Sequence, residues 1–225
     1  MYKKITHHIT EEHFDHPMAA AVKKAIETKK VVNPKDFYAI DGQMSAGLDQ
    51  FEKDNIHAWS GLAWVIGDLV NSIVDGTGDQ AELLSHFTTI VDKISKLIRP
   101  IATDEQVTQF NSLLTAYGQA TLAVVVDEMT NKDTVSDIAT LNSAVAELSK
   151  FLNSLSTVWD ATALASILTG IASAYADKAA ARMKKDWAGV STAGERAYKI
   201  IVVGRDNDKP SLADIFAHGI VSYNK

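Results

Sequence analysis

The side chains best suited to bind a ligand lie at the N-terminus. His7, His8, His13 and His16 place four of the chain's seven histidines within its first sixteen residues, interleaved with Glu11, Glu12 and Asp15. Imidazole and carboxylate together bind zinc, copper or nickel, but the spacing His-His-x4-His-x2-His matches no closed site. The pattern reads instead as a solvated arm that gains positive charge below about pH 6.5. These four histidines are therefore candidate interaction residues, and no metal is assigned to them.

Other chemistries fare worse. A carboxylate-bridged di-iron centre needs Glu-x-x-His pairs aimed inward from two helices, and none occurs in the body of the chain. Glu82 and His86 stand one helical turn apart without a second such pair, and His57 stands alone beside Trp59. There is no Gly-x-Ser-x-Gly, no P-loop and no Gly-x-Gly-x-x-Gly after a strand. Gly-Thr-Gly at 76–78 reads as turn chemistry. Asp127-Glu128, at a helix end where the macrodipole disfavours acids, is expected to face solvent or a lysine. No catalytic residue and no cofactor follow from these patterns.

The most distinctive local cluster is Arg182-Met-Lys-Lys-Asp186-Trp187. In a continuous helix Arg182 and Asp186 share one face at i, i+4, and Met183 and Trp187 share the next. An anion site is one reading. An ion-paired edge beside a buried tryptophan is the favoured one, with Trp59 and Trp187 both in the core and Asp214 capping a late helix.

The elements that must position these residues are helices. Leu48, Phe51, Trp59, Leu62, Ile66, Leu69 and Ile73 recur at helical steps, one face of an amphipathic helix. Asp75-Gly-Thr-Gly-Asp79 ends it, because paired glycines accept positive φ. A second helix carries Leu83, Leu84, Phe87, Ile90, Val91, Ile94, Leu97 and Ile98 and stops by Pro100. Thr103-Asp-Glu-Gln106 is a capping box opening a third, with Phe110, Leu114, Tyr117 and Val125, which breaks at Asn131-Lys-Asp133. The fourth starts near Thr134 and is expected to bury Ile138, Leu141, Val145, Leu148 and Leu152. The fifth runs from Trp159 through Trp187, with Gly189 and Gly194 kinking or stopping it. Glu195–Val203 and a helix capped by Ser211-Leu-Ala-Asp214 complete the chain. Residues 1–44 differ in character, with a short helix over Met18–Lys29 and an extended link at Val31-Val-Asn-Pro34. The expected fold is all-α: residues 45–225 form an up-and-down bundle of about five long helices plus short C-terminal helices, and residues 1–44 an extended N-terminal arm.

Composition narrows the function classes. With 225 residues, 46% apolar and 22% charged, the chain is long enough to bury a self-sufficient core. Its formal charge is −6, which argues against nucleic acid as a partner. The absence of cysteine excludes disulfides, thiolate metal sites and thiol catalysis. The N-terminus lacks an apolar signal region, and the two most apolar stretches, Ile56–Val74 and Val158–Ala176, fall short of a membrane span. A soluble chain without a membrane partner is expected.

Trp59…Leu69, Lys96-Leu-Ile-Arg-Pro100, Leu113-Leu114, Ala146-Glu-Leu-Ser-Lys-Phe-Leu152, Arg182-Met-Lys-Lys-Asp-Trp187 and Ala213-Asp-Ile-Phe-Ala-His-Gly-Ile220 appear in this order. Over roughly residues 48–223 the chain thereby resembles a poorly characterised helical-bundle family with relatives in bacteria and large DNA viruses. Its specific elements are Arg-x-x-x-Asp-Trp and Ala-Asp…Gly-Ile. Bacterial members carry a histidine three residues before the first-helix tryptophan and Glu-His pairs in the third and fifth helices. The matching positions here are Ile56, Ala116-Tyr117 and Thr169-Gly170, so the resemblance implies the fold without the family's polar site. Together these features point to a non-catalytic structural or interaction protein, a virion-associated component that docks on a protein partner through its arm. One alternative is a ligand-binding bundle or enzyme with a pocket built from Tyr117, Tyr175, His57 and Trp59. Another is a membrane-active protein exposing the Ala/Ser-rich fifth helix.

Overall fold

The structure, a computed structural model, describes the backbone of residues 34–130, 134–204 and 210–221, with side chains described from residue 50 onward. Seven α-helices occur among these residues, with no strand: α1 (Pro34–Asp75), α2 (Gln80–Lys96), α3 (Asp104–Thr130), α4 (Val135–Leu155), α5 (Ala161–Met183), α6 (Trp187–Tyr198) and α7 (Leu212–Val221). A π-helical turn, Lys199–Val203, continues α6. The expected all-α bundle is thus the observed one. The histidines at 7, 8, 13 and 16, the helix over 18–29, the link at 31–33 and the break at 131–133 lie outside the described residues.

Local chemistry explains the boundaries. α1 opens on Pro34, whose fixed φ and missing amide suit the first helical position, so the first helix takes in residues 34–44 that the sequence pattern gives to the arm. It closes where Gly76 (φ 66°) and Gly78 (φ 84°) turn the chain and the Gly76 amide donates to Ser72 O at 2.8 Å. The box at α3 forms as expected: the Thr103 amide donates to Gln106 Oε1 at 2.8 Å and the Gln106 amide to Thr103 Oγ1 at 3.3 Å. At α7 the Ser211 amide donates to Asp214 Oδ2 and the Asp214 amide to Ser211 Oγ, both at 3.0 Å. Asp214 is the cap the sequence announces.

The expected fifth helix is two helices. α5 ends at Met183, Lys185 takes φ 56°, and Asp186 caps α6 by accepting from the Gly189 amide at 3.0 Å. Gly189 and Gly194 consequently lie inside α6 and neither stops a helix. Glu195–Val203 is likewise no separate helix, since its first turn belongs to α6 and its end to the π turn, closed by Gly204 at φ 96°.

Short connections fold consecutive long helices back on one another. Three side-chain bonds fix α5 against α1 and advance in the same direction along both: Tyr175 to Ala63 O, Lys178 to Gly67 O, and Arg182 to Asp75. The core centres on Phe216 of α7. Trp159 stacks on it at 5.3 Å between ring centroids, Phe110 stacks at 5.7 Å, and Trp59 meets it edge-on at 5.2 Å. Such aromatic pairs add about 0.5–1.5 kcal/mol each beyond their burial. α7 is therefore a wedge held by rings from three sides. Ile138, expected in the core, is 44% exposed, because the first turn of α4, including Val135, projects past the packed region.

Candidate functional site

The Arg182 cluster assembles differently from its sequence reading. With α5 ended at Met183 the i, i+4 register to Asp186 is lost, and Arg182 reaches back to the end of α1. Its Nε donates to Asp75 Oδ1 at 2.9 Å and Nη2 to Oδ2 at 2.5 Å, a bidentate pair. Hydrogen bonding from the Arg182 guanidinium holds the Asp75 carboxyl below the usual carboxylate range, against desolvation and with a smaller contribution from its charge. Asp186 serves α6 as cap instead.

Trp187 is not buried. As the first residue of α6 it turns away from the core, is 60% exposed, and packs over the Arg182 guanidinium at 5.4 Å. Met183 beside it is exposed too. The fork of Arg182 is filled by Asp75, so the cluster presents an indole to solvent where an anion site would present free donors. A second exposed indole, Trp64, lies on α1 against Tyr198 of α6.

Of the residues expected to build a pocket, Tyr117, Tyr175 and Trp59 are buried in the core and His57 is exposed. The Tyr117 hydroxyl donates to Leu168 O at 2.8 Å and that of Tyr175 to Ala63 O at 2.7 Å. Burial pushes both phenols well above their ordinary pKa. Both therefore act as buried ties between helices. His57 and His86 are exposed. Trp59 is buried as expected, 2% exposed, with its Nε1 lacking a partner. Asp127 is buried rather than solvated. Lys178 is half-buried with Nζ donating to Gly67 O at 2.8 Å, and desolvation lowers its pKa while Asp68 opposes the shift.

One cleft, of about 80 Å³, opens between α1 and α7. Glu52, Asn55 and Ile56 line it from α1, and Asp214, Ala217, His218 and Val221 from α7. Asn55 is 2% exposed, and its Nδ2 donates to Ala213 O at 3.0 Å. Its Oδ1 has no partner, a state that costs about 1–3 kcal/mol for a buried acceptor. Asp214 is held by its own capping box, with Oδ2 on the Ser211 amide. Sequence reasoning missed Asn55, although a signal existed: it fills the helical position between Phe51 and Trp59, where an apolar residue belongs. Among the described residues no group of three or more His, Asp or Glu is arranged to hold a metal ion, and no helix is long and apolar enough to cross a membrane.

Compared with known proteins, the chain matches no family model, no curated protein and no solved structure. Its function is therefore argued from its own geometry.

Proposed function

We propose that the chain is a non-catalytic interaction protein that docks on a protein partner within a larger assembly. It does so through its N-terminal arm and, on the helical body, through the exposed corner around Trp187. The observation that carries this reading is Trp187 itself: an indole 60% exposed, set on a guanidinium whose position a bidentate carboxylate fixes. Tryptophan and arginine dominate the energetic centres of protein interfaces. A side chain already held in place also loses little conformational entropy on binding. The commitment of Tyr117 and Tyr175 to structural bonds supports the same reading, since it removes the polar groups of the competing pocket. A virion is the assembly that the resemblance to a family with viral relatives suggests.

The test is co-sedimentation of the protein with native particles from its source, for the wild type, Trp187→Ala and a chain lacking residues 1–33, which leaves α1 whole. Particle-bound wild-type protein is expected, with each change reducing association while the helical body stays folded. A protein found free, or association untouched by both changes, defeats the proposal.

A further inference from the structure

Three helices that run the same way end at one level. Arg182 at the end of α5 grips Asp75 at the end of α1. Tyr117 of α3 is tied to Leu168 of α5, and from that tie α3 runs 13 residues to Thr130 and α5 runs 15 to Met183. At a rise of about 1.5 Å per residue both ends lie about 20 Å beyond the tie. The α3–α4 and α5–α6 corners therefore share one end of the bundle. Five of the nine large apolar side chains exposed among the described residues lie there: Val126, Val135 and Ile138 at the first corner, Met183 and Trp187 at the second. The corners carry opposite charge. Residues 126–138 hold Asp127, Glu128, Asp133 and Asp137 against Lys132, and residues 182–187 hold Arg182, Lys184 and Lys185 against Asp186. With Arg182 neutralised by Asp75 the second corner is still positive. Glu128, Lys184 and Lys185 are exposed and form no ion pair among the described residues.

The chain thus carries both halves of a complementary pair, apolar and charged, on a single face where they cannot meet within one molecule. We propose, resting on the reading of the Trp187 corner as a docking surface, that its partner is a second copy of this chain joined end to end. The α5–α6 corner of each copy seats on the α3–α4 corner of the other. A two-fold axis lying across the bundle end makes the contact twice and closes it at a dimer. Trp187 and Met183 cover Val135 and Ile138, and Lys184 and Lys185 lie in the field of Glu128 and Asp137. Pairing like corners instead would set the lysines against one another.

The experiment is sedimentation equilibrium of the full chain at increasing concentration, with far-UV circular dichroism to show that each variant is folded. A monomer–dimer equilibrium that tightens at low salt is expected. Trp187→Ala is expected to weaken it roughly tenfold or more, as loss of an interface anchor does. The pair Lys184→Glu and Lys185→Glu in one chain, and Glu128→Lys in another, are each expected to weaken self-association. Mixing those two chains should restore a dimer, because each contact then pairs opposite charges again. A chain lacking residues 1–33 should dimerise as the full chain does. A monomer at every concentration, species larger than a dimer, no effect of Trp187→Ala, or no rescue on mixing would overturn the proposal. So would a dimer lost with residues 1–33, which would make the arm the occupant. A monomer that still co-sediments with particles through Trp187 overturns the second copy and keeps the docking surface. A Trp187-dependent dimer found free of any particle supports the second copy and removes the larger assembly.

Discussion

Gly219→Ala measures how tightly α7, the wall of the cleft, is clamped to the bundle. A Cβ on residue 219 would stand 1.8 Å from Trp159 Nε1 and 2.0 Å from its Cε2. Trp159 has nowhere to go. It is fully buried, its Nε1 donates to Ile215 O at 2.9 Å, and its ring stacks on Phe216. Two effects oppose each other. Alanine is the better helix former by about 1 kcal/mol. Relieving the clash, however, forfeits the indole hydrogen bond, about 1 kcal/mol, and much of the ring stack, about 1 kcal/mol. It also leaves overpacking strain of about 2 kcal/mol. The clash wins, and a net loss of about 3 kcal/mol is expected. Urea unfolding followed by far-UV circular dichroism and tryptophan fluorescence gives the value, with an unchanged m confirming that only stability moved. Gly194→Ala is the control. There the nearest atom to a new Cβ is Lys178 Cε at 4.0 Å, so helix propensity alone acts and stability should rise by up to about 1 kcal/mol. A Gly219→Ala chain as stable as the wild type would refute the packing argument, as would equal losses in both variants.

Trp187→Ala should lower stability by less than about 1 kcal/mol in the same assay, the worth of an exposed cation–π contact; a loss of the 3–5 kcal/mol typical of core aromatics would return Trp187 to the interior. Tyr175→Phe should cost about 1 kcal/mol through its bond to Ala63 O, and an unchanged midpoint would show that bond to be absent. Asp75 gives a pH signature. Its folded pKa lies below the unfolded value of about 3.9, so between the two the unfolded chain binds the extra proton and stability rises with pH. The stabilisation is present above about pH 4 and lost as pH falls through the folded pKa. The gap in melting temperature between wild type and Asp75→Asn should accordingly close in acid, and a gap independent of pH would show that the ion pair is not its origin.

The helical period carried most of the fold, because the apolar positions of α1 to α5 recur in the register that their packing needs. Caps with paired local donors and acceptors, at Thr103 and Ser211, were equally legible. The failure lies at α5–α6. Gly189 looked like a helix breaker, yet its missing side chain makes room for a cap: a Cβ there would stand 2.4 Å from Asp186 Oδ2. The sequence Asp-Trp-Ala-Gly is thus a helix start, and reading it as a helix end moved Trp187 from the surface into the core. Arg182 was assigned to Asp186, four positions away, because local spacing is visible. Its real partner Asp75 lies 107 positions away, a distance only the bundle closes.

Asn55 marks the border between what sequence and structure each reveal. An amide in the register of Phe51, Trp59 and Leu62 is a visible departure from a buried stripe, and packing alone would favour leucine there. Half of its polarity has a structural account: Nδ2 ties α1 to the backbone of α7, 158 positions later. The other half has none, since Oδ1 is buried without a donor and weakens the fold by its desolvation.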